Sequence, residues 1–389
     1  MESKDKKTIL IFVDWYLPGY KAGGPIKSIY SLVNYLKSDF NFLIITSDTD
    51  LGDNKTYDGI RSNEWISIDN SVSVFYTSSS YLSRKNILQL IKSVNFDLLY
   101  FNSLFSFYFS ILPLLYVKLG IIKKPVLLAP RGMLGAGALK LKSKKKSLFV
   151  LISKLLTLHK SIFWHATSFQ EKLEIENVFK NSVITVVPNL QYNEERLTLE
   201  HPFKNPGELK IFFLSRISEK KNLLFALNLL NRLQKDIGSI EYTIVGPIED
   251  ALYWEECKII IKKLPGNIRV NYIGAIKNNE VSKTISDFHF LFLPTFNENY
   301  GHAIVESLLN GKPVIISDQT PWRNLNTYNA GWDIALNEGD SYLKTIEKCL
   351  NMNNEEYLRW SSASIEYAKK YCISNESIIQ TKKMFNKHL

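Results

Sequence analysis

The chain has 389 residues, and at about 150 residues per domain its length predicts two or three domains, of which we favour two. With 45% hydrophobic and 13% aromatic residues, the composition excludes a disordered protein and predicts a globular one. The three cysteines are odd in number and far apart, which argues against a disulfide framework or a zinc site and fits a reducing cytosol. The net charge of +10 predicts an anionic partner, which is a nucleic acid, a phosphorylated ligand or an acidic membrane surface.

Two apolar segments in the first third resemble targeting or membrane sequences. Lysines precede the run at 9–13, as in a secretion signal, but Asp14 ends that run early. We therefore predict a first buried strand and a cytoplasmic protein. The segment at 105–122 has the length of a membrane span, yet Pro113 and Gly120 interrupt it, so we expect no membrane-spanning helix there.

Short apolar runs alternate with amphipathic stretches along the whole chain, which predicts an α/β fold with parallel sheets. In the first half the predicted strands are 8–14, 40–48, 72–78, 96–102, 125–131, 161–168 and 182–189. In the second half they are 209–216, 240–246, 270–275, 288–295 and 313–318.

The predicted organisation is two doubly wound domains that face one another. The first covers 1–195, a polar linker rich in proline covers 196–208, and the second covers 209–370. A terminal helix at 371–389 completes the chain, and the sequence leaves open on which domain it packs. Because ligands bind beyond the carboxyl ends of parallel strands, we expect one cleft lined by both domains.

A glycine turn follows the first predicted strand in the segment "WYLPGYKAGGPIKS". Gly23 and Gly24 would let the backbone approach a phosphate or a sugar closely. The segment is neither a dinucleotide fingerprint nor a Walker loop, and such turns are common in α/β proteins. Lys21 and Lys27 are candidate phosphate contacts, with ordinary surface charge as the alternative.

After the fifth predicted strand comes "APRGM", in which Arg131 lies at the carboxyl edge of the first sheet. A lysine cluster and the apolar stretch "SLFVLISKLLTLHKSIFW" follow it. Together they predict a basic and apolar surface suited to anionic lipid; the alternative is a solvated loop before an ordinary core helix. The cluster consists of Lys140, Lys142, Lys144, Lys145 and Lys146.

Two cations follow the first strand of the second domain, in "FFLSRISEKKN". Arg216 ends the strand and Lys221 begins a helix, so the two could hold a diphosphate and stabilise it as it leaves. The alternative is a solvated basic start to the helix.

The segment "FNENYGHAIVESLLNGKPVII" at 296–316 combines an apolar helix with two carboxylates. Glu298 lies in the loop before the helix, where main-chain amides and the helix dipole favour anions. Glu306 lies among apolar residues, so its carboxylate requires hydrogen-bond donors, and the vicinal hydroxyls of a ribose would suit it. The structural alternative is a helix cap at Glu298 and a lysine partner for Glu306.

These motifs resemble family 4 of the retaining nucleotide-sugar glycosyltransferases, which have the GT-B fold of two facing Rossmann-like doubly wound domains. The family pattern is two glutamates separated by seven residues, followed by a Gly-x-Pro-Val-Ile strand entry. It matches Glu298, Glu306, Gly311, Pro313, Val314 and Ile315. The resemblance implies an acceptor-binding first domain and a second domain that binds the nucleotide sugar.

The resemblance also implies roles for single residues. Glu298, Arg216 and Lys221 would be catalytic, and Glu306 would bind the donor ribose. Further donor contacts are implied at Gly23, Gly24, Gly274, Asn299, Tyr300 and Gly301. Arg131, Trp322 and Arg323 would border a sugar or acceptor pocket, although Trp322 suits the core equally well. Ser215 and Asn222 replace glycines of the family pattern, which leaves the local loop geometry open.

One further motif would bind a metal in the other glycosyltransferase fold, GT-A. Asp48, Thr49 and Asp50 spell D-x-D, but they follow the second strand of a doubly wound domain, so we interpret them as a polar loop. The six histidines show no ligand spacing. The resemblance therefore implies catalysis without a metal or other cofactor.

The function that the resemblance implies is transfer of a hexose-type sugar from a nucleoside diphosphate to a hydroxyl of a saccharide or lipid-linked saccharide, with retention of configuration. Surface polysaccharide synthesis, of O-antigen, capsule or exopolysaccharide, is the expected pathway, with association at the inner face of the plasma membrane. The enzymatic alternative is a phosphorylase or nucleotide-sugar epimerase of similar build. A nucleic-acid-binding protein is the remaining alternative, although no nucleic-acid module is recognisable.

Overall fold

A computed structural model describes residues 6–135, 143–191, 201–234, 237–373 and 375–389. The chain divides into two compact units. The first combines Met1–Tyr192 with Asn375–Leu389, and the second is Asn193–Ser374.

The first unit is built on an eight-stranded sheet. The strands are β1 Thr8–Phe12, β2 Asn41–Ser47, β3 Trp65–Asp69, β4 Val72–Thr77, β5 Leu98–Phe101, β6 Val126–Leu128, β7 Phe163–Ala166 and β8 Val183–Val186. Their order in the sheet is β3-β4-β2-β1-β5-β6-β7-β8. Only the β3–β4 pair is antiparallel among these described strands. The central strands are fully buried, as expected for a parallel sheet covered on both faces.

The second unit is built on a six-stranded parallel sheet. Its strands are β9 Glu208–Leu214, β10 Ser239–Val245, β11 Ile268–Gly274, β12 Phe290–Leu293, β13 Val314–Ser317 and β14 Gly331–Ile334. The order is β11-β10-β9-β12-β13-β14, so the chain reverses direction across the sheet between β9 and β12. Ligands of doubly wound sheets bind at this kind of switch point.

Helices cover both sheets. In the first unit they are Gly24–Leu36, Arg84–Lys92, Leu112–Lys118, Ser143–Leu155 and Phe169–Val178. In the second unit they are Leu223–Asn231, Ala251–Ile261, Val281–Ile285, His302–Leu309, Gly339–Asn351 and Asn354–Tyr367. The terminal helix Asn375–Asn386 returns to the first unit, where Met384 and Phe385 enter its core and the Phe385 ring packs edge-on against Tyr100.

The α/β class with two Rossmann-like parallel-sheet domains is confirmed, and each predicted strand is present. The described residues add two strands that the sequence analysis missed. β3 is a partly exposed edge strand in which apolar and polar residues alternate, WISID, and β14 is the edge strand GWDI. Neither has the continuous apolar run by which buried strands are identified.

Much of the apolar segment at 105–122 packs into the core of the first unit, whereas Leu119 and Ile121 near its end are exposed. A single π-helical turn at Phe107–Ile111 leads into the helix Leu112–Lys118, in which Leu112 and Leu114 are buried. Across the described parts of the chain, no helix has both the length and the apolar character needed to span a membrane.

Candidate active site

The candidate site of the second unit lies at the carboxyl ends of β9 and β12, which are neighbours in the sheet. The loop after β12 is hydrogen-bonded to the loop after β9. The Thr295 hydroxyl and the Phe296 amide both donate to the carbonyl of Lys220, each at 3.0 Å. Two segments separated by more than 70 residues in sequence are thereby held together.

Lys221 and Glu298 form an ion pair at this junction. The Lys221 ammonium group donates to Glu298 Oε1, and the side chains are only 12% and 13% exposed. The Glu298 amide donates to the Gln319 carbonyl at 2.9 Å, which fixes the backbone of the acid. Lys221 was predicted to contact the diphosphate of a donor and Glu298 was predicted to be catalytic. In the structure the two side chains contact each other directly.

Arg216 pairs with a different carboxylate. Its Nη1 donates to Glu249 Oε1 at 2.6 Å, and both side chains are partly exposed. Glu249 follows β10, and its amide donates to the Ile217 carbonyl at 3.1 Å. Glu249 was not predicted from the sequence. The feature that could have indicated it is a carboxylate shortly after a buried strand, in the segment "TIVGPIED".

The two positions at which glycines are replaced have clear local geometry. Asn222 has φ 58 and ψ 38, in the left-handed region that favours glycine and that asparagine tolerates best among other residues. Its side-chain amide donates to the Pro294 carbonyl at 3.0 Å. Ser215 occupies the other position, and its carbonyl oxygen lies against Gly246. A Cβ at residue 246 would come within 1.9 Å of that oxygen, so the close approach requires glycine there.

The helix of the two-glutamate motif spans His302–Leu309, so Glu298 lies four residues before its first residue. Gly301 precedes the helix with φ 78, a conformation that glycine adopts without strain. Tyr300 is buried, and its hydroxyl donates to the Cys372 carbonyl at 3.2 Å. Its side chain thus belongs to the core.

Glu306 is half-buried in the middle of this helix. Ile304, Val305 and Leu308, which surround it in sequence, are fully buried. The helix ends at Leu309, and Gly311 turns the chain with φ 65, in agreement with the predicted helix end.

The other predicted residues of this unit lie in varied surroundings. Gly274 ends β11 with φ 79, and its carbonyl accepts from the Gly246 amide at 2.8 Å. Trp322 is part of the hydrophobic core and donates its indole N–H to the Tyr300 carbonyl. Arg323 is exposed, and its guanidinium donates to the Asp318 carbonyl.

In the first unit, Gly23 precedes the helix Gly24–Leu36 with φ 67, and a Cβ there would meet no atom within 4 Å. The preceding turn is held by Asp50, whose Oδ2 accepts from the amides of Tyr20 and Lys21 at 2.8 and 3.1 Å. The Lys21 ammonium group pairs with Asp53 at 2.6 Å. The backbone at Gly23 is therefore open, whereas Lys21 already has an anionic partner.

The D-x-D carboxylates have structural hydrogen-bond partners. Asp48 Oδ2 accepts from the Ser62 hydroxyl at 2.6 Å and from the Thr56 hydroxyl at 3.4 Å. Asp50 Oδ1 accepts from the Leu51 amide at 2.8 Å, and both aspartates are almost fully buried. These contacts shape the loop after β2 and its junction with the glycine turn.

Arg131 is the centre of a hydrogen-bond network at the carboxyl edge of the first sheet. It has φ 54, and its guanidinium donates to Asn102 Oδ1 at 2.7 and 3.1 Å and to the Tyr100 hydroxyl at 3.0 Å. It also donates to Asn189 Oδ1. Asn102 and Asn189 were not identified from sequence, although each follows a buried or half-buried strand closely.

His165 continues the network and is neutral. Its Nε2 lies 2.8 Å from the Val187 carbonyl, which only accepts, so Nε2 carries the proton. Nδ1 then accepts from the Tyr100 hydroxyl at 2.7 Å. Burial, with the Arg131 charge nearby, lowers the pKa of His165 to about 3.

Glu171 anchors the turn that carries Arg131. It is fully buried, and its carboxylate accepts from the Gly132 amide at 2.6 Å and from the Thr167 amide and hydroxyl at 2.7 and 2.6 Å. In the sequence, Ser168 followed three residues later by Glu171 is a pattern that indicates the start of a helix. The Ser168 hydroxyl caps that helix by accepting from the Glu171 amide at 3.1 Å.

Residues 195–367 match the family described as "Glycosyl transferases group 1". The matched region covers nearly all of the second unit, including Arg216, Lys221, Glu298 and Glu306. The match indicates a glycosyltransferase. No curated protein matches the sequence.

Solved structures share the fold along the whole chain at low sequence identity. The sucrose-phosphate synthase of Thermosynechococcus elongatus is 14% identical with a TM-score of 0.72, and the alignment covers 98% of each chain. Anabaena HepE, in complex with UDP-glucose, is 13% identical with a TM-score of 0.67 and covers 98% of this chain and 99% of its own. WaaG, a glycosyltransferase involved in lipopolysaccharide biosynthesis, is 11% identical with a TM-score of 0.65 and the same coverage. These likenesses show the GT-B fold.

Proposed function

We propose that this protein transfers a hexose-type sugar from a nucleoside diphosphate sugar to an acceptor hydroxyl, with retention of the anomeric configuration. The observation that carries the proposal is the Lys221–Glu298 ion pair at the carboxyl ends of neighbouring strands, inside a region that matches a glycosyltransferase family. Arg216 and Glu249 form a second ion pair near the end of β9.

The two cations would stabilise the departing diphosphate. Negative charge grows on the bridging oxygen as the bond to the sugar breaks, and preorganised cations offset that charge without reorganising during the reaction. Glu298 would hold Lys221 in a defined position before the donor binds, because that pair is almost fully buried. The Arg216–Glu249 pair is partly exposed, so the diphosphate would compete with Glu249 for the guanidinium group.

Three side chains in or near the helix His302–Leu309 would bind the sugar and the ribose. Glu298 would position the transferred sugar, and Glu306 would accept hydrogen bonds from the ribose hydroxyls. The side-chain nitrogen of Asn299 is buried, and within the described residues it has no hydrogen-bond acceptor. Since buried donors are normally satisfied, a sugar hydroxyl would be a suitable partner for it.

The leaving diphosphate would also take the proton. The acceptor oxygen forms its bond to the anomeric carbon on the face that the phosphate oxygen leaves, and the acceptor proton passes to that oxygen. Charge and atoms balance without a separate general base. The reaction as proposed uses no metal ion.

The acceptor is proposed to be a saccharide or lipid-linked saccharide in surface polysaccharide synthesis. The resemblance of the motifs to family 4 of the retaining glycosyltransferases supports this class of acceptor. Arg131 is proposed to border the acceptor through its network, and Arg323 to border the sugar pocket.

Product analysis tests the proposal. The protein is incubated with UDP-, GDP- and dTDP-linked sugars, with and without saccharide acceptors, and the anomeric proton couplings of the product are measured by NMR. An axial product from an axial donor is expected. An inverted linkage contradicts the retaining mechanism. Conversion of the nucleotide sugar to an epimeric sugar product without any acceptor would identify an epimerase, and turnover that requires inorganic phosphate would identify a phosphorylase.

A further inference from the structure

The positive charge of the chain is concentrated in one stretch. Residues 98–170 contain 11 lysine and arginine residues and no aspartate or glutamate. The rest of the chain holds 37 basic and 38 acidic residues, so it is close to neutral. The net charge of +10 therefore belongs to a segment of the first unit that runs from β5 to just after β7.

The helix Ser143–Leu155 in this segment has a second apolar face. Its inner face packs on the core, where the Phe149 ring contacts Phe105 edge-on and Ser153 is buried. Five large apolar residues are between 42% and 73% exposed, and their spacing of three or four places them on one stripe. They are Leu148, Leu151, Ile152, Leu155 and Leu156.

The end of the helix Leu112–Lys118 lies beside the end of the helix Ser143–Leu155 and is followed by further exposed apolar residues. The Lys118 ammonium group donates to the Thr157 hydroxyl at 2.8 Å, which joins the two helix ends. Leu119 and Ile121 follow immediately and are exposed. So many exposed large apolar residues near two joined helix ends are unusual on a protein surface that faces only water.

The same segment of the sequence is rich in lysine. Lys144, Lys145 and Lys146 fall in the first turn of the helix, whereas Lys140 and Lys142 of the predicted cluster lie outside the described residues. Five lysines of the segment have exposed side chains. They are Lys118, Lys123, Lys124, Lys154 and Lys160. We call the exposed leucines and isoleucines together with these five lysines the basic apolar face.

The composition of the basic apolar face favours lipid over a protein partner. Protein interfaces are anchored by tryptophan, tyrosine and arginine, and their charges are matched pair by pair. Here the exposed anchors are leucine and isoleucine, and the charges are all lysine. Such a surface suits a bilayer, which offers a continuous apolar layer below a continuous layer of negative headgroups.

We propose that the basic apolar face docks on the surface of an anionic bilayer, with the leucines at the headgroup boundary and the lysines among the headgroups. The helix Ser143–Leu155 has 13 residues, too short for the roughly 20 that a span requires, so it lies in the plane of the interface. The proposal stands apart from the transfer reaction, because it uses no residue of the candidate active site.

Vesicle co-sedimentation tests the proposal. We expect the full chain to bind vesicles of phosphatidylcholine mixed with phosphatidylglycerol, to bind phosphatidylcholine alone far less, and to be released by high salt. The variant Leu151→Gln/Leu155→Gln should lose about 10-fold in partition coefficient, because the apolar part of interfacial binding scales with buried apolar area. The matched control is Leu252→Gln, since Leu252 is 80% exposed on the second unit.

A labelled cysteine gives a second readout. All three native cysteines are buried, so Leu155→Cys offers one accessible thiol for an environment-sensitive dye. Its emission should shift to the blue with anionic vesicles, whereas the dye on Leu252→Cys should not change. Thermal unfolding checks that the variants fold.

Three results would overturn the proposal. One is absence of binding to anionic vesicles by the unaltered chain, and another is equal binding by the double variant and the control. The third is a dimer, measured by light scattering, that the double variant dissociates while vesicles have no effect; the face would then join two copies of this chain.

Discussion

Lys221 and Glu298 lie 77 positions apart in sequence, and their charged groups meet in an ion pair that is nearly nine-tenths buried. The pair exists because β9 and β12 are adjacent, so that the loops following them share one edge of the sheet. A carboxylate and an ammonium group in such a position stabilise each other, and removing either leaves a partly buried charge.

We expect a double-mutant cycle to reveal this dependence. Lys221→Met and Glu298→Gln should each lower the free energy of unfolding, and the double variant should lose less than the sum, with a coupling of about 1–3 kcal/mol. Each single variant should also lower kcat/KM by about 100-fold or more, because one preorganised electrostatic contact is lost. Urea unfolding and initial rates are the measurements. Additive stabilities would show that the pair contributes nothing.

The Arg216–Glu249 pair should behave differently, since it is partly exposed. Glu249→Gln should change the free energy of unfolding by less than about 1 kcal/mol. It should leave the affinity for UDP or GDP unchanged or higher, because Arg216 keeps its charge and loses a competing anion. Arg216→Gln should weaken nucleotide binding. Calorimetric titration compares the two variants, and weaker binding by Glu249→Gln would show that this acid positions the arginine.

Glu306→Gln should reduce the stabilisation that a nucleotide sugar gives to the folded protein. Ligands that bind only the folded state raise the unfolding temperature, so loss of the ribose contact should lower that increment. Scanning fluorimetry with a nucleotide-sugar panel measures it. Glu347→Gln is a matched control, because Glu347 is an exposed glutamate on another helix of the same unit. Equal increments in both variants would rule out the proposed role of Glu306.

Stability should fall in acid because of two buried neutral histidines. Burial lowers the pKa of His165 and of His289 to about 3, whereas an unfolded histidine titrates near 6.5. Between these values the unfolded chain binds more protons, so the free energy of unfolding decreases as the pH falls from about 6.5 towards 3. Each histidine should account for about 2 kcal/mol between pH 6.5 and 5.

The pH series is measured by urea unfolding at constant ionic strength. His165→Asn should be less stable at neutral pH, because Tyr100 and Val187 lose their partner. It should nevertheless show a shallower decline in acid. The same slope as in the unaltered protein would mean that His165 does not titrate on unfolding.

Chelation should leave sugar transfer unchanged. The Asp48 and Asp50 carboxylates are used in holding loops, so EDTA should not lower the rate. Asp50→Ala should instead lower the free energy of unfolding by about 1–3 kcal/mol, because the amides of Tyr20, Lys21 and Leu51 lose their acceptor. Loss of activity with EDTA and its recovery with Mn²⁺ would contradict the metal-free mechanism.

Much of the fold could be predicted because buried parallel strands are continuous apolar runs. That rule located β1, β2 and β12, among others, and it failed for the edge strands β3 and β14 because polar residues or glycine interrupt their apolar residues. The glutamate spacing and the two cations were also visible, since they lie within short segments.

The partners of those residues were not visible. Glu249 pairs with Arg216 across 33 positions, and Asn189 accepts from Arg131 across 58. Local patterns carry no information on contacts at such separations. The position of Trp322 in the core could not be predicted for the same reason. Its indole N–H donates to the carbonyl of Tyr300, which is 22 positions away in sequence.

The sequence by itself determined the α/β class with two Rossmann-like domains and the chemical types of the candidate residues. Hydrophobic periodicity and short spacings are local properties, so a linear reading captures them. Only the tertiary structure decided that Lys221 meets Glu298, that Arg131 is held by neutral acceptors, and that four apolar residues of one helix and Leu156 after it are exposed. Those outcomes depend on strand order and on which surfaces pack together, and both are set by the whole chain.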